Sequence, residues 1–195
     1  MFYATIQKLR NKLYFTVEDV AEILKIRRGS AMVLCSRYAK GGIFIRLKNN
    51  FYVLEEGWER LSKDEFMEIA NYLQVPSYIS CMSALSAYEV TTQVQRNFYE
   101  SVSLKRSRRF EVKGAIFNFF KIKKELYFDF LKQGSFFIAS KEKALVDALY
   151  LYSFGKYKLD FASLDLAKID KNKIRLLLKK YPQRTKTIAK TLCKI

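Results

Sequence analysis

Residues 16 to 54, TVEDVAEILKIRRGSAMVLCSRYAKGGIFIRLKNNFYVL, admit few folds, because helix and strand periods alternate there at short range with a stop signal between each pair. Thr16 is a helix cap, and Glu18 and Asp19 suit the positive end of the helix that follows. Val17, Val20, Ala21 and Leu24 recur at the i, i+3, i+4, i+7 spacing of one buried face, which predicts a helix to about Leu24. After a short break at Lys25 to Arg27, the same spacing returns in Ala31, Leu34, Cys35 and Tyr38. A helix over Arg28 to Lys40 is expected, ended by Gly41-Gly42, where left-handed backbone is inexpensive. IFIRL and FYVL then read as two strands around Lys48-Asn49-Asn50, asparagine tolerating the positive φ of a tight hairpin. With a first helix over Tyr3 to Arg10, the order is helix, helix, turn, helix, hairpin, that of a winged helix-turn-helix over residues 1–60.

Ser62-Lys63-Asp64-Glu65 is a capping box, and Phe66, Ile69, Ala70 and Leu73 mark a connector helix within 61–76 that ends before Pro76. Residues 77–195 read as a mixed α+β domain. A helix is expected near Met82 to Tyr88, with phenylalanine-rich strands near Ser101 to Lys105, Ala115 to Ile122, Leu126 to Phe130 and Phe136 to Ala139. Ser140 and Asp170 each cap a later helix, and a last basic helix runs from about Gln183 to Leu192. The fold class is therefore α+β, an N-terminal winged helix-turn-helix followed by a mixed domain.

The formal net charge is +17, which points to nucleic acid, an anionic membrane surface or an acidic protein as partner. The chain has no histidine, which removes the commonest general base and metal ligand together and weakens most enzyme readings. Cys35, Cys81 and Cys193 lie far apart with no CxxC pair, as expected of core thiols in a reducing compartment. Apolar runs are only a few residues long, and the start MFYATIQKLRN lacks an apolar stretch followed by a cleavage site, so a soluble cytoplasmic protein is expected.

The positive charge has three concentrations. The helix 28–40 carries Arg28, Ser30, Arg37 and Lys40 along one outward edge, with Met32 and Ser36 beside them and Arg27 at its start. In a helix-turn-helix this element enters the major groove while the hairpin, here with Arg46, Lys48 and Asn49, meets the backbone. Arginine can pair with guanine through two hydrogen bonds, and serine and lysine can hold phosphate. Read alone, such a face could equally be a solvated helix side. The segment SLKRSRRFEVK holds Lys105, Arg106, Arg108, Arg109 and Lys113, which would extend a phosphate footprint, receive an acidic partner, or form a basic loop and nothing more. The C-terminal KNKIRLLLKKYPQRTKTIAKTLCKI is amphipathic, but its few apolar positions suit packing on a folded domain better than a membrane surface. For catalysis, Asp129, Glu142, Lys143 and Asp147 are the nearest candidates for Mg²⁺-dependent phosphodiester hydrolysis. Lys143 and Asp147 instead read as an i, i+4 ion pair on a helix surface, and Asp129 as one residue of an aromatic strand. No metal or cofactor is expected.

Together, FTVEDVAEIL, SRYAKGGIFIRLKNNFYVL, PSYISCMSAL with TTQVQR, and ASKEKALVDALYL resemble the AbiEi family over nearly the full length. AbiEi proteins are the antitoxin and autorepressor half of abortive-infection, type IV toxin-antitoxin pairs. The resemblance implies a winged helix that binds inverted repeats in its own promoter, with double-stranded DNA contacted by Ser36, Arg37, Lys40, Arg46 and Lys48. It also implies a C-terminal domain that counteracts a nucleotidyltransferase-like toxin. Ser77, Tyr78, Ser80, Ala84 and Leu85 would then belong to the C-terminal core, and Glu142, Lys143 and Asp147 would mark a structural helix. The hairpin tip departs from the family, which often has a basic residue and glycine where this chain has Asn49-Asn50. The expectation is a non-enzymatic repressor and antitoxin, monomeric or a dimer assembled on DNA. The alternatives are a stand-alone winged-helix regulator, a protein-binding adaptor or a Mg²⁺-dependent nuclease.

Overall fold

Thr16 opens the first complete helix with a reciprocal cap, its hydroxyl accepting from the Asp19 amide at 3.2 Å while its own amide donates to the Asp19 carboxylate at 2.7 Å. A computed structural model describes residues 8–93 and 96–194 of the chain. The expected helix over Tyr3 to Arg10 falls for the most part outside the described residues, only Lys8 and Leu9 being seen as helical. Helix α1, Val17–Leu24, ends at Lys25 in the left-handed region. Helix α2, Arg28–Lys40, stops at Gly41, and Gly42 takes a positive φ of 72° that turns the chain into strand β1.

Strands β1, Phe44–Lys48, and β2, Phe51–Leu54, form an antiparallel hairpin turned at Asn50, whose φ is 58°. Phe15 extends this ribbon by exchanging two backbone hydrogen bonds with Tyr52, at 2.8 and 2.9 Å. Its ring meets Phe44 edge-on and stacks near Tyr52, and these aromatics close over Val17, Val20, Ala31 and Cys35 in one core. That core explains why α2 turns the Ala31 and Cys35 side inward: those are its two fully buried positions. A short helix α3, Glu55–Trp58, follows, then α4, Lys63–Leu73, which carries the expected Ser62–Glu65 capping box.

The chain divides into two compact units at Ile69–Ala70, inside the helix read from sequence as the connector. The second unit holds a six-stranded sheet in the order β5-β6-β4-β3-β8-β7. Its strands are β3, Ser77–Ile79; β4, Phe98–Ser103; β5, Arg108–Val112; β6, Ala115–Lys121; β7, Phe130–Gln133; and β8, Phe136–Ala139. β3 runs parallel to β8 and β4 parallel to β6, while the remaining neighbours are antiparallel. Helices α5, Cys81–Ala87, α7, Lys171–Leu178, and α8, Gln183–Cys193, all pack on α6, Lys141–Ser153. The protein is α+β. The three cysteines are buried and free.

Two strand expectations are corrected. Leu126 to Phe130 is not a strand: Lys124–Leu126 is a 3-10 turn, and Asp129, at φ 57°, breaks extended backbone just before β7 begins. The basic segment read as lying between strands contains β5 itself, joined to β6 by Lys113-Gly114, both at positive φ.

A larger correction concerns Lys143 and Asp147. They are i, i+4 neighbours on α6 as the spacing implies, but both are wholly buried rather than at the surface. The Lys143 ammonium donates to Asp147 and, at 2.9 Å, to the Tyr181 hydroxyl. The Asp147 carboxylate also accepts from Tyr78 at 3.0 Å, Ser80 at 2.9 Å and Tyr181 at 2.9 Å, so its oxygens are fully engaged. Burial pulls the Lys143 ammonium below its ordinary pKa, opposed by the Asp147 charge, and pushes the Tyr78 and Tyr181 hydroxyls up. One ion pair thus ties α6 to β3 and to Tyr181, in the turn between α7 and α8. Breaking such a pair from one side leaves an uncompensated charge in the interior. Lys143→Met should therefore lower unfolding free energy by about 3–5 kcal/mol in a urea titration at neutral pH. A loss below about 1 kcal/mol, the range of exposed pairs, would contradict the buried geometry.

Candidate nucleic-acid interface

The exposed face of α2 is set by one side chain of the hairpin. The Asn50 carbonyl oxygen accepts from the Val17 amide, the first amide of α1, at 2.9 Å, and its amide nitrogen donates to the Glu18 carboxylate at 2.6 Å. The other Glu18 oxygen accepts from Arg28 Nε, also at 2.6 Å. A single chain of contacts thus links hairpin turn, start of α1 and start of α2. The Asn50 hydrogen bond first, and the Arg28 guanidinium second, hold the Glu18 carboxyl down at about 2. At the far side of the same cap, Lys12 pairs with Asp19.

Every candidate residue on α2 is exposed, but the cations differ in what they do. Arg28 is held by Glu18 and serves the frame of the unit. Among the described residues, Arg27, Arg37 and Lys40 form neither an ion pair nor a side-chain hydrogen bond. Ser30 and Ser36 lie on the same exposed side. Met32 and Val33 are 51% and 57% exposed, large apolar groups with no core to fill. Met32, Val33, Ser36, Arg37 and Lys40 line one shallow concavity. The side chains therefore offer a bidentate donor, a point charge, a hydroxyl and apolar contact within one patch.

On the hairpin, Arg46 is exposed and donates to Asn49 at 3.0 Å, which directs the guanidinium toward the tip. Lys48 is half-buried, with its ammonium 5.0 Å from the Phe51 ring centroid, so it reaches outward less freely than Arg46. Sequence reasoning named Asn49 as a contact and gave Asn50 a place in the turn only, missing its contacts, whose partners lie more than thirty residues away in the chain. It also passed over Val33, although an apolar residue out of register with the buried spacing was visible in the sequence.

The other basic segments are engaged differently. Arg108 lies over the Phe110 ring at 4.2 Å and Arg109 pairs with Glu111 at 3.2 Å, both on the sheet's edge strand β5. Lys105, Arg106 and Lys113 are exposed, and the Arg106 carbonyl accepts from Gln74. On α7 and α8 the apolar positions Ile174, Leu177, Leu178, Ala189 and Cys193 face inward, and Arg175, Lys179, Lys186 and Lys190 border a cleft on the outer side. Among the described residues no helix is long and apolar enough to cross a membrane.

The residues weighed for metal chemistry do not converge. Lys143 points to Asp147, while Asp129 and Glu142 are bridged by Lys173 at 3.3 and 3.5 Å. Ser140 donates to Asp129, and Glu142 accepts from the Asp170 amide. Among the described residues, no cluster of three or more His, Cys, Asp or Glu could hold a metal ion. No protein-family model matches the chain, and no curated protein matches it significantly.

The low Glu18 pKa gives a direct test of the hairpin contact. A carboxyl depressed in the folded state adds stability above its unfolded value, and that contribution is lost as pH falls toward about 2. Carboxyl-carbon NMR should show Glu18 titrating near 2 in the parent and moving up toward 4.5 in Asn50→Ala. An unchanged midpoint in the variant would remove Asn50 from that role.

Proposed function

We propose that residues 1–60 form a winged helix-turn-helix that binds double-stranded DNA, with α2 in the major groove and the β1–β2 hairpin as the wing. One observation carries this reading: Arg37 and Lys40 on α2, and Arg27 at its N-cap, stand exposed with no carboxylate among the described residues engaging them, while the helix's opposite side is fixed in the core. Arg28 and Arg109, by contrast, are engaged by Glu18 and Glu111.

In this reading Arg37 reads a base edge, Arg27 and Lys40 hold phosphates, and Met32 and Val33 meet thymine methyl groups. Arg46 at the hairpin tip reaches the backbone beside the groove. The likeness to AbiEi proteins extends the proposal to a repressor of its own operon whose second unit counteracts a nucleotidyltransferase-like toxin, the whole acting in the cytoplasm without catalysis. A single module of this kind covers little DNA, so tight binding at physiological salt calls for two copies on an inverted repeat.

The test is binding to a duplex selected by the protein from a random pool. Arg37→Ala should lose about 1–3 kcal/mol and relax preference at one base pair. Lys40→Ala should weaken all duplexes alike and reduce the salt slope by about 1. Equal binding by parent and both variants at matched salt would dismiss α2 as the contact surface.

A further inference from the structure

Residues 171–195 hold nine Lys and Arg and no Asp or Glu, so the charge of this stretch is not balanced within it. Three of these cations are engaged elsewhere in the second unit: Lys173 bridges Asp129 and Glu142, Lys180 lies 4.1 Å from the Phe128 ring centroid, and Arg184 lies 5.9 Å from that of Phe154. Four others line one cleft of about 410 Å³ together with Leu178: Arg175 and Lys179 from α7 and its C-cap, and Lys186 and Lys190 from α8. Arg175, Lys179 and Lys190 are exposed and Lys186 is half-buried, so the cleft is open to a ligand from solvent. Among the described residues none of the four forms an ion pair, and Arg175 donates only to the neutral Asn172 side chain, at 2.7 Å.

This arrangement works against the fold. Arg175 and Lys179 are i, i+4 neighbours, as are Lys186 and Lys190, and like charges at that spacing destabilise a helix. α8 also opens on Pro182 without a side-chain cap, and its first turn has no acidic residue, although a carboxylate is favoured there. Two like-charge pairs around one concavity repel one another, and an anion between them would offset that repulsion. The cleft also limits the kind of anion. Its volume is that of a small-molecule site, whereas a duplex meets protein over a far larger surface. Its four cations exceed what one phosphate group, with about two negative charges, would neutralise. Its lining has no aromatic side chain to stack on a base and no carboxylate to hold a divalent cation.

We propose that the cleft between α7 and α8 binds a short chain of linked phosphates, as in inorganic triphosphate or the triphosphate tail of a nucleotide, without Mg²⁺. The Arg175 guanidinium takes two oxygens of one phosphate, and Lys179, Lys186 and Lys190 act as point charges on the others. A nucleotide is held by its phosphates alone, and its base is not read. Mg²⁺ competes with the lysines for the same oxygens.

Isothermal titration of the full chain with inorganic triphosphate, ATP, CTP and orthophosphate at fixed ionic strength tests each part. Triphosphate should bind saturably at one site, ATP and CTP within about threefold of each other, and orthophosphate at least about tenfold more weakly, since it forgoes charge-assisted contacts. Excess Mg²⁺ should weaken triphosphate binding. Lys186→Gln with Lys190→Gln should lower triphosphate affinity at least about tenfold, whereas the same charge loss in Lys121→Gln with Lys132→Gln, exposed on β6 and β7, should change it less than about threefold. The cleft variants remove like-charge neighbours, so their unfolding midpoints should equal or exceed the parent's. Should that pair fail to fold, Arg175→Gln with Lys179→Gln repeats the test from the other helix. No saturable binding of triphosphate, affinity unchanged in the cleft variants, an equal loss in the β6 and β7 variant, or a preference between ATP and CTP above about tenfold would overturn the proposal. A duplex or a polyglutamate peptide that binds more tightly than triphosphate, and loses that affinity in the cleft variants, would overturn it in favour of a macromolecular partner.

Discussion

The first unit depends on a single side-chain amide. Asn50 sits at the hairpin turn in a conformation that asparagine tolerates, and there its two ends serve different masters: the oxygen caps the first amide of α1, the nitrogen holds Glu18. Glu18 in turn fixes Arg28 at the start of α2. Three elements that share a small core are thereby joined by one chain of polar contacts as well. A glycine tip would make the turn as easily and would provide neither contact.

The same economy separates the protein's many cations into two kinds. Arg10 with Glu56, Lys12 with Asp19, Arg28 with Glu18 and Arg109 with Glu111 are engaged by carboxylates. Among the described residues Arg27, Arg37 and Lys40 are not, and α2 has no acidic residue to engage them. Exposed pairs contribute little stability, so the distinction matters less for folding than for recognition. It leaves a helix face whose charge has no use within the unit. In the second unit the logic reverses, and Lys143 is drawn into the interior to neutralise Asp147 beneath a ring of hydroxyls.

How much of this was legible in the sequence follows from how local each signal is. Thr16, Ser62, Ser140 and Asp170 act within three residues, and all four caps stand where the pattern placed them. Gly41-Gly42 and Asn49-Asn50 likewise announced the end of α2 and the hairpin. Spacing could not tell that Lys143 and Asp147 are buried, because i, i+4 is the same whether the face meets water or Tyr78 and Tyr181. β3 is only three residues long, and β5 begins on two arginines, so neither showed a hydrophobic period. The aromatic run before β7 suggested a strand that Asp129 interrupts. Of the candidate interface, the α2 residues were readable from periodicity, whereas the role of Asn50 was not, since its partners are distant in the chain.

The central claim is that duplex DNA meets the outer face of α2 and the hairpin beside it. An amide chemical-shift map of the full chain, titrated with a duplex at moderate salt, tests it most directly. The expected result is a set of perturbations confined to residues 27–40 and 44–51, diminishing together as salt is raised. Perturbations centred instead on 105–113 or 171–194, with 27–40 unmoved, would contradict it.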